Sequence, residues 1–234
     1  MRITVLTMFP EIFRGFLQFP MILRCIDKGI ASIEVRDIKD YADGSFRHID
    51  ESPYGGGAGM ILRCEPVVRA IRDVRRENST VIAMAPIGTV FTQKDALELK
   101  DAEDIILLAG HYEGFDARIY DYCDRIISMG DFILSSGELP CMALIDSVIR
   151  LKEGIIRNES TQDESFMNGL LEYPQYTRPY EFEGKKVPDI LLSGNHEKIR
   201  EYRRMQSLLL TKKNRPDLFE KAELSESEKA LFEE

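Results

Sequence analysis

The sequence is poor in the residues that build metal centres and disulfide frameworks. It contains three histidines and four cysteines among 234 residues, and no two cysteines form a C-x-x-C pair. Cys25, Cys64, Cys123 and Cys141 are therefore predicted to be reduced core thiols and not zinc ligands or disulfide partners. The low histidine count also argues against a histidine-rich metal site, and no metal ligand is predicted.

Long apolar runs are missing as well. No stretch approaches the roughly 18 apolar residues of a membrane span, and the first residues, MRITVLTMFPEIF, include an acid and a proline. We therefore expect no signal peptide, no membrane partner and a cytoplasmic location. A hydrophobic fraction of 44% in a chain of this length can build a sizeable core, with or without an appended domain.

Residues 54–60, YGGGAGM, are rich in glycine but lack the features of a phosphate loop. A P-loop requires Lys-Ser/Thr after its last glycine, whereas Met60-Ile61-Leu62 follows Gly59 here. A dinucleotide fingerprint requires a strand before it, and the preceding residues, GSFRHIDESP, are polar and irregular. Either a surface turn or the close approach of a ligand would explain such a cluster.

Apolar periodicity predicts an α/β fold. Strands are predicted at 3–9, 32–38, 80–85, 104–110 and 125–130, and helices at 10–29 with a break near Pro20, 65–77, 92–100 and 141–151. Strands that alternate with helices indicate a mostly parallel sheet covered on both faces.

The second half of the chain has a different pattern. Residues 154–188 show little periodicity, which is typical of a linker or a functional lid. Helices are predicted at 190–210 and 225–234, with Ser225 and Glu228 as a capping box. We therefore divide the chain into a ligand-binding α/β domain at 1–157, a linker or lid at 158–188 and a small helical domain at 189–234.

Glycine-bearing loops follow three predicted strands, at 86–88, 110–114 and 130–138. Ligands of open parallel sheets bind beyond the carboxyl ends of the strands. None of the three is a phosphate loop. Together they suit a neutral or cationic ligand with an adenine and a ribose, bound by main-chain hydrogen bonds in an apolar slot.

Charge is unevenly distributed. The net charge of −9 argues against nucleic acid, yet residues 197–215 carry seven basic residues against two acidic ones. This segment could engage phosphates locally. A solvated helix face is the alternative interpretation.

Five long motifs occur in a fixed order: PYGGGAGM, GHYEGFDAR, MGDFILSSGELP, EYPQYTRP and LLSGNHEKIREYR. In that order they closely resemble the TrmD family of bacterial tRNA (guanine-N1)-methyltransferases, over essentially the whole chain. The resemblance implies a SPOUT-class fold with a deep trefoil knot, a homodimer, and S-adenosylmethionine (SAM) as cofactor. It implies tRNA as substrate, modified at the guanosine 3′ of the anticodon (position 37) when another guanosine precedes it. A direct part for Mg²⁺ stays open.

The resemblance also assigns residues to roles. It implies SAM contacts from Pro86, Gly88, Gly110, Tyr112, Met129, Gly130, Asp131, Phe132, Ile133, Leu134 and Gly137. It implies substrate contacts from Asp50, which is associated with reading the guanines, and from Tyr54, Gly55, Gly56 and Gly57. We add Lys198, Arg200 and Arg203 of the basic segment as candidate tRNA contacts.

The chemistry requires a base, because guanine N1 carries a proton at neutral pH and is a poor nucleophile until that proton leaves. Family members commonly place an aspartate directly before Ser-Phe, where this chain has Asp163-Glu164. We name both as candidate bases and favour Glu164. Arg150 matches the arginine that stabilises charge on O6, and Glu113 matches a glutamate that the family needs for activity.

Rival interpretations come from other classes of protein. A SPOUT 2′-O-ribose methyltransferase would lack the EYPQYTRP and LLSGNHEKIR segments. A catalytically inactive tRNA-binding module would lose Arg150 or the acidic pair. A nucleotide-binding protein would need the phosphate-loop lysine that is absent here.

Overall fold

The computed structural model describes residues 1–156 and 164–232. The chain divides into two compact units, Met1–Ile156 and Arg157–Glu234. The described part of the predicted linker, 164–188, falls in the second unit. The roles assigned to these parts of the chain stay predictions.

The first unit is built on a five-stranded sheet in the order β2-β1-β6-β5-β7. Its strands are β1 Arg2–Thr7, β2 Ser32–Asp37, β5 Ser79–Val90, β6 Asp104–Ala109 and β7 Arg125–Ser128. All neighbouring pairs are parallel, which confirms the predicted sheet. Two short strands, β3 Asp50–Glu51 and β4 Ile61–Leu62, form a separate antiparallel pair that the sequence did not predict.

Helices cover both faces of this sheet. They are α1 Phe13–Phe16, α2 Pro20–Asp27, α3 Cys64–Val74, α4 Gln93–Leu99 and α5 Glu138–Ile149. One face packs on α1, α2, α4 and α5 and the other on α3. Strand β6 is buried at every residue, as expected for a strand covered on both sides. Pro20 begins α2, which confirms the predicted break.

A buried ion pair joins β1 to β6. Arg2 donates to both oxygens of Asp104, at 2.6 and 2.8 Å, and the Asp104 side chain is 5% exposed. Burial alone would raise the pKa of Asp104, but hydrogen bonds from Arg2 and Ser79 outweigh it and hold that pKa below its usual value. The pair stabilises the amino-terminal ends of both strands.

Several predicted element ends are wrong. Strand β5 does not end at residue 85, because its pairing with β7 is interrupted after Met84 and resumes at Thr89. Residues 86–88 are thus a break inside a strand. Helix α5 begins at Glu138 and not at 141. The long C-terminal helix begins at His196, where the Asn195 side chain caps it, and not at 190.

The second unit contains β8 Glu181–Phe182, β9 Lys185–Lys186, α6 His196–Asn214, α7 Pro216–Phe219 and α8 Glu226–Phe232. The Leu171 N–H donates to Thr211 Oγ1 at 2.9 Å, so the chain before β8 packs on α6. The predicted capping box of α8 is confirmed: Ser225 N–H donates to Glu228 Oε2 at 2.8 Å, and Glu228 N–H donates to Ser225 Oγ at 3.3 Å. Arg204 Nε also donates to Glu228, and this hydrogen bond lowers the Glu228 pKa to about 2.

All four cysteines are free thiols, with Cys25 and Cys141 fully buried; this confirms that they are not disulfide partners. No helix within the described ranges combines the length and apolar character needed to cross a membrane. The trefoil knot stays a prediction.

Candidate active site

A cavity of about 340 Å³ opens between the break in β5 at 86–88 and the carboxyl ends of β6 and β7. Its walls come from residues 84–87, 110–115, 127–129 and 132–137. The three glycine-bearing segments predicted from sequence therefore surround one cavity. Met84, Ile127, Met129, Phe132 and Leu134 make much of the lining apolar.

Most of the residues predicted to contact the cofactor line this cavity. They are Pro86, Gly110, Tyr112, Met129, Phe132, Ile133, Leu134 and Gly137. The other three, Gly88, Gly130 and Asp131, lie in the same loops beside it. The structure thus gathers the predicted set in one place, and each residue's contact with a ligand stays a prediction.

Two of these glycines are required by backbone packing. A Cβ on Gly137 would lie 2.5 Å from the Gly110 nitrogen, and the Gly137 N–H donates to the Gly110 carbonyl at 2.7 Å. A Cβ on Gly88 would lie 2.4 Å from the carbonyl carbon of Ile126 in β7. Distances under 3.0 Å do not occur for real Cβ atoms, so only glycine lets the chain segments approach this closely.

The YGGGAGM loop is tied to the cavity wall. It connects β3 to β4, and Glu113 N–H donates to the Met60 carbonyl at 3.0 Å, while Leu62 N–H donates to the Gly114 carbonyl at 3.0 Å. A Cβ on Gly59 would lie 2.6 Å from both Cγ and Oε1 of Glu113. The group that approaches the backbone at Gly59 is therefore the side chain of Glu113, which lines the cavity.

The first glycines of the loop have a different reason. Gly55 and Gly56 have φ of 84° and 79°, values that favour glycine, and no heavy atom lies within 4 Å of a Cβ built on either. Tyr54 is fully exposed, and Asp50 lies in β3, opposite Leu62 of β4. These predicted substrate residues therefore lie on a largely exposed surface next to the cavity wall.

A buried carboxylate behind the cavity was missed by sequence reasoning. Glu138 is 0% exposed, and one of its oxygens lies 2.9 Å from His111 Nε2. The Thr7 hydroxyl donates to its other oxygen, and Phe9 N–H donates to Thr7 Oγ1 at 3.0 Å. His111 itself lines the cavity. A glutamate that follows a glycine at a helix start normally predicts a solvated first turn, so the sequence carries no signal for this burial.

Arg150 is not at this cavity within the chain. It follows α5, whose first turn contributes Pro140 to the cavity lining. At ~1.5 Å per residue, the 12 residues of α5 place Arg150 about 18 Å from that end. Burial raises the pKa of Asp146, one turn before Arg150, and the charge of Arg150 acts in the opposite direction.

The second unit brings together one candidate base and two of the candidate tRNA contacts. Glu164, Arg200 and Arg203 line a cavity of about 200 Å³, which also contains Tyr173. The Arg203 guanidinium lies 4.7 Å from the centre of the Tyr173 ring. Lys198 is exposed in the first turn of α6. Asp163, the other candidate base, lies outside the described residues.

Within residues 1–156 and 164–232, no three His, Cys, Asp or Glu side chains gather as a metal ion would require. No residue is therefore assigned to Mg²⁺.

The chain matches known proteins over nearly its full length. A sequence profile of the family described as tRNA (Guanine-1)-methyltransferase TrmD matches residues 1–221. A tRNA (guanine-N(1)-)-methyltransferase of Clostridium botulinum is 49% identical over 236 aligned positions, which cover 100% of this chain and 98% of the relative. A protein of the same name from Clostridium perfringens is 50% identical over 234 positions, which cover 99% of each chain. The chain therefore belongs to the TrmD family of tRNA (guanine-1)-methyltransferases.

Proposed function

We propose that the protein transfers a methyl group from SAM to N1 of guanosine 37 in tRNA, the guanosine 3′ of the anticodon, when another guanosine precedes it. The observation that carries the proposal is the cavity at the break in β5 and the ends of β6 and β7, with the glycine loop packed against its Glu113. Family membership and the activity for which the relatives are named support the reaction type.

The residues of the cavity fit SAM. Its volume lies at the lower end of the range for small-ligand sites, about 300–1,000 Å³, and backbone groups of 110–114 and 129–137 stand beside apolar walls. Pro86, Tyr112 and Leu134 would flank the ligand, and Gly110 and Gly137 would offer main-chain groups. When bound, SAM supplies an electrophilic methyl group, so the protein's task on the donor side is orientation.

On the acceptor side the protein must remove the N1 proton. We assign this step to Glu164, with Asp163 as the alternative, and a positioned base contributes about 10²–10⁴-fold. Negative charge develops on guanine O6 as the proton leaves, and we assign its stabilisation to Arg150. Glu113 keeps the glycine loop in a fixed position against the cavity wall.

The position of Arg150 supports a homodimer. Its distance of about 18 Å from the cavity end of α5 leaves the cavity without this cation unless a second copy supplies it. Symmetric dimers exchange such residues reciprocally, because each copy presents the same surface. We therefore propose that each cavity receives Arg150 of the partner subunit.

Subunit complementation tests the dimer. Arg150→Ala and Glu113→Ala dimers should each be inactive, whereas a 1:1 mixture after subunit exchange should regain about a quarter of the sites, because half the dimers are mixed and each has one intact site. No regain of activity would place Arg150 and Glu113 in the same subunit's site. A monomeric mass by light scattering, with activity retained, would also contradict the dimer.

The basic segment of α6 provides the tRNA contact. Lys198, Arg200 and Arg203 lie on a helix with few acidic residues, and each phosphate neutralised makes binding weaker as salt rises. Arg200→Ala should therefore weaken tRNA binding and lower its salt dependence while SAM binding is unchanged.

The reaction itself is tested with purified protein, labelled SAM and a tRNA transcript with GG at the 3′ edge of the anticodon. The methyl group should map to N1 of guanosine 37. Methyl on a ribose hydroxyl would favour the 2′-O-methyltransferase alternative. Binding of tRNA without transfer would favour an inactive module.

A further inference from the structure

Glu138 is a fully buried carboxylate that the proposed reaction does not use. It lies in the first turn of α5, and its neighbour Gly137 lines the cavity. Burying a carboxylate is unfavourable unless its charge is compensated. The first turn of a helix favours an acid, but a glutamate is rarely buried this completely.

Both oxygens of Glu138 have a hydrogen-bond partner. Phe9 N–H donates to Thr7 Oγ1, and the Thr7 hydroxyl donates to one oxygen of Glu138. His111 Nε2 lies 2.9 Å from the other oxygen and donates to it in the tautomer that carries the proton on Nε2.

The charge is compensated in part. Within the described chain, no lysine or arginine pairs with Glu138, and its ion-pair partner is the imidazole of His111. Asp104 differs, because it is almost as buried but is paired with Arg2. Glu138 lies in the first turn of α5, whose N-terminus offsets roughly half a charge. With His111 neutral, the remaining negative charge lies one side chain behind the cavity wall.

We propose that Glu138 is a specificity-determining residue. Its buried charge lies directly behind His111, which lines the cavity. This charge makes the cavity bind SAM, whose sulfonium is positive, in preference to S-adenosylhomocysteine, whose thioether is neutral. The inference rests on the proposed function. Methyl transfer removes the positive charge from the ligand's sulfur, so the interaction that favours the donor is absent in the product. The carboxylate thereby favours exchange of product for a new donor.

The size of the effect follows from Coulomb's law. Two unit charges about 10 Å apart at an effective dielectric of about 20 change a binding constant by about tenfold. Glu138→Gln removes the charge and keeps the shape of the side chain. The ratio of SAM affinity to S-adenosylhomocysteine affinity should therefore fall about tenfold in this variant.

Calorimetric titration of both ligands against the full-length dimer measures the ratio. Glu138→Asp keeps the charge and should keep most of the ratio. Asp104→Asn is the matched control, because it removes a buried carboxylate at the far end of β6, about 20 Å away at ~3.3 Å per residue, and should leave the ratio unchanged. Retained affinity for S-adenosylhomocysteine shows that a variant's cavity is folded.

Glu138→Met supplies a second variant if Glu138→Gln does not fold. It removes the charge and replaces it with an apolar side chain of similar length, so the ratio should fall in the same direction. If Glu138→Gln weakens the binding of SAM and of S-adenosylhomocysteine equally, or leaves both affinities unchanged, Glu138 has only a structural role and the inference is overturned. If the wild type binds neither ligand, the proposed function itself fails.

Discussion

Gly59→Ala tests the contact between the glycine loop and Glu113. The variant adds one methyl group at a residue whose φ is 86°, a region in which an alanine is strained by about 1–2 kcal/mol. The new Cβ would lie 2.6 Å from Cγ and Oε1 of Glu113, against ordinary contacts of 3.4–4 Å. Glu113 must then leave its position, at a further cost of about 0.5–1.5 kcal/mol for a strained rotamer.

The expected result is a loss of about 2–3 kcal/mol in the free energy of unfolding, the sum of the two effects. The single-turnover rate of methyl transfer should fall about 10²-fold, because a displacement of about 1 Å at a reacting centre has that effect. Denaturant unfolding and quenched-flow methylation with saturating SAM and tRNA measure the two quantities.

Gly44→Ala is the matched control. Its φ is 77°, yet no heavy atom lies within 4 Å of a Cβ built there. This variant should show the backbone strain of about 1–2 kcal/mol and no loss of rate. In a Glu113→Ala background, Gly59→Ala should lower the free energy of unfolding only by the backbone strain, since the colliding atoms are gone. A Gly59→Ala enzyme with the wild-type rate would refute the argument that Glu113 must hold its place.

Further variants test the base, the Arg204–Glu228 ion pair and the buried Arg2–Asp104 ion pair. Glu164→Gln should lower the single-turnover rate by about 10²-fold or more while SAM binding changes little, and Asp163→Asn should have a far smaller effect. The reverse ranking would assign the base to Asp163. If both variants keep the wild-type rate, the mechanism is refuted. The folded-state pKa of Glu228 is lowered to about 2, so its stabilisation is present above its usual pKa near 4.5 and is lost as pH falls toward 2. At pH 7 the free energy of unfolding of Glu228→Gln should therefore be about 1 kcal/mol lower than that of the wild type. It should also change less as the pH falls. Identical dependence of the unfolding free energy on pH in both proteins would contradict this. Arg2→Met should lower the unfolding free energy by about 3 kcal/mol, because it strands the buried Asp104; adding Asp104→Asn should recover part of that loss.

The fold was predictable where local pattern and burial agree. Strands β1 and β6 are apolar runs that the sheet buries on both faces, so periodicity identified them. Residues 86–88 were misjudged because Pro-Ile-Gly has the chemistry of a turn, whereas pairing with β7 carries the strand on to Val90. That outcome depends on a partner strand about 40 residues away, which local sequence does not describe.

The candidate site, like the fold, was predictable from the sequence only in part. Loops at strand ends are placed by the order of elements, and the sequence located them. Pairs such as Glu138 with His111, or Gly59 with Glu113, join residues 27 and 54 positions apart, and no local pattern marks either partner. At Gly88 and Gly137, backbone packing by itself requires glycine, so the residue type there does not depend on a ligand, and the ligand contacts stay predictions.

Arg150 shows why the site must be argued from the fold and not from motif order. Glu138, Leu139 and Pro140 of SSGELP begin α5 and Arg150 follows its last residue, and a rigid helix keeps its two ends about 18 Å apart. The proposed use of both ends of α5 in one reaction therefore depends on the proposed second copy of the chain. Packing within each unit determines which groups can meet in one subunit.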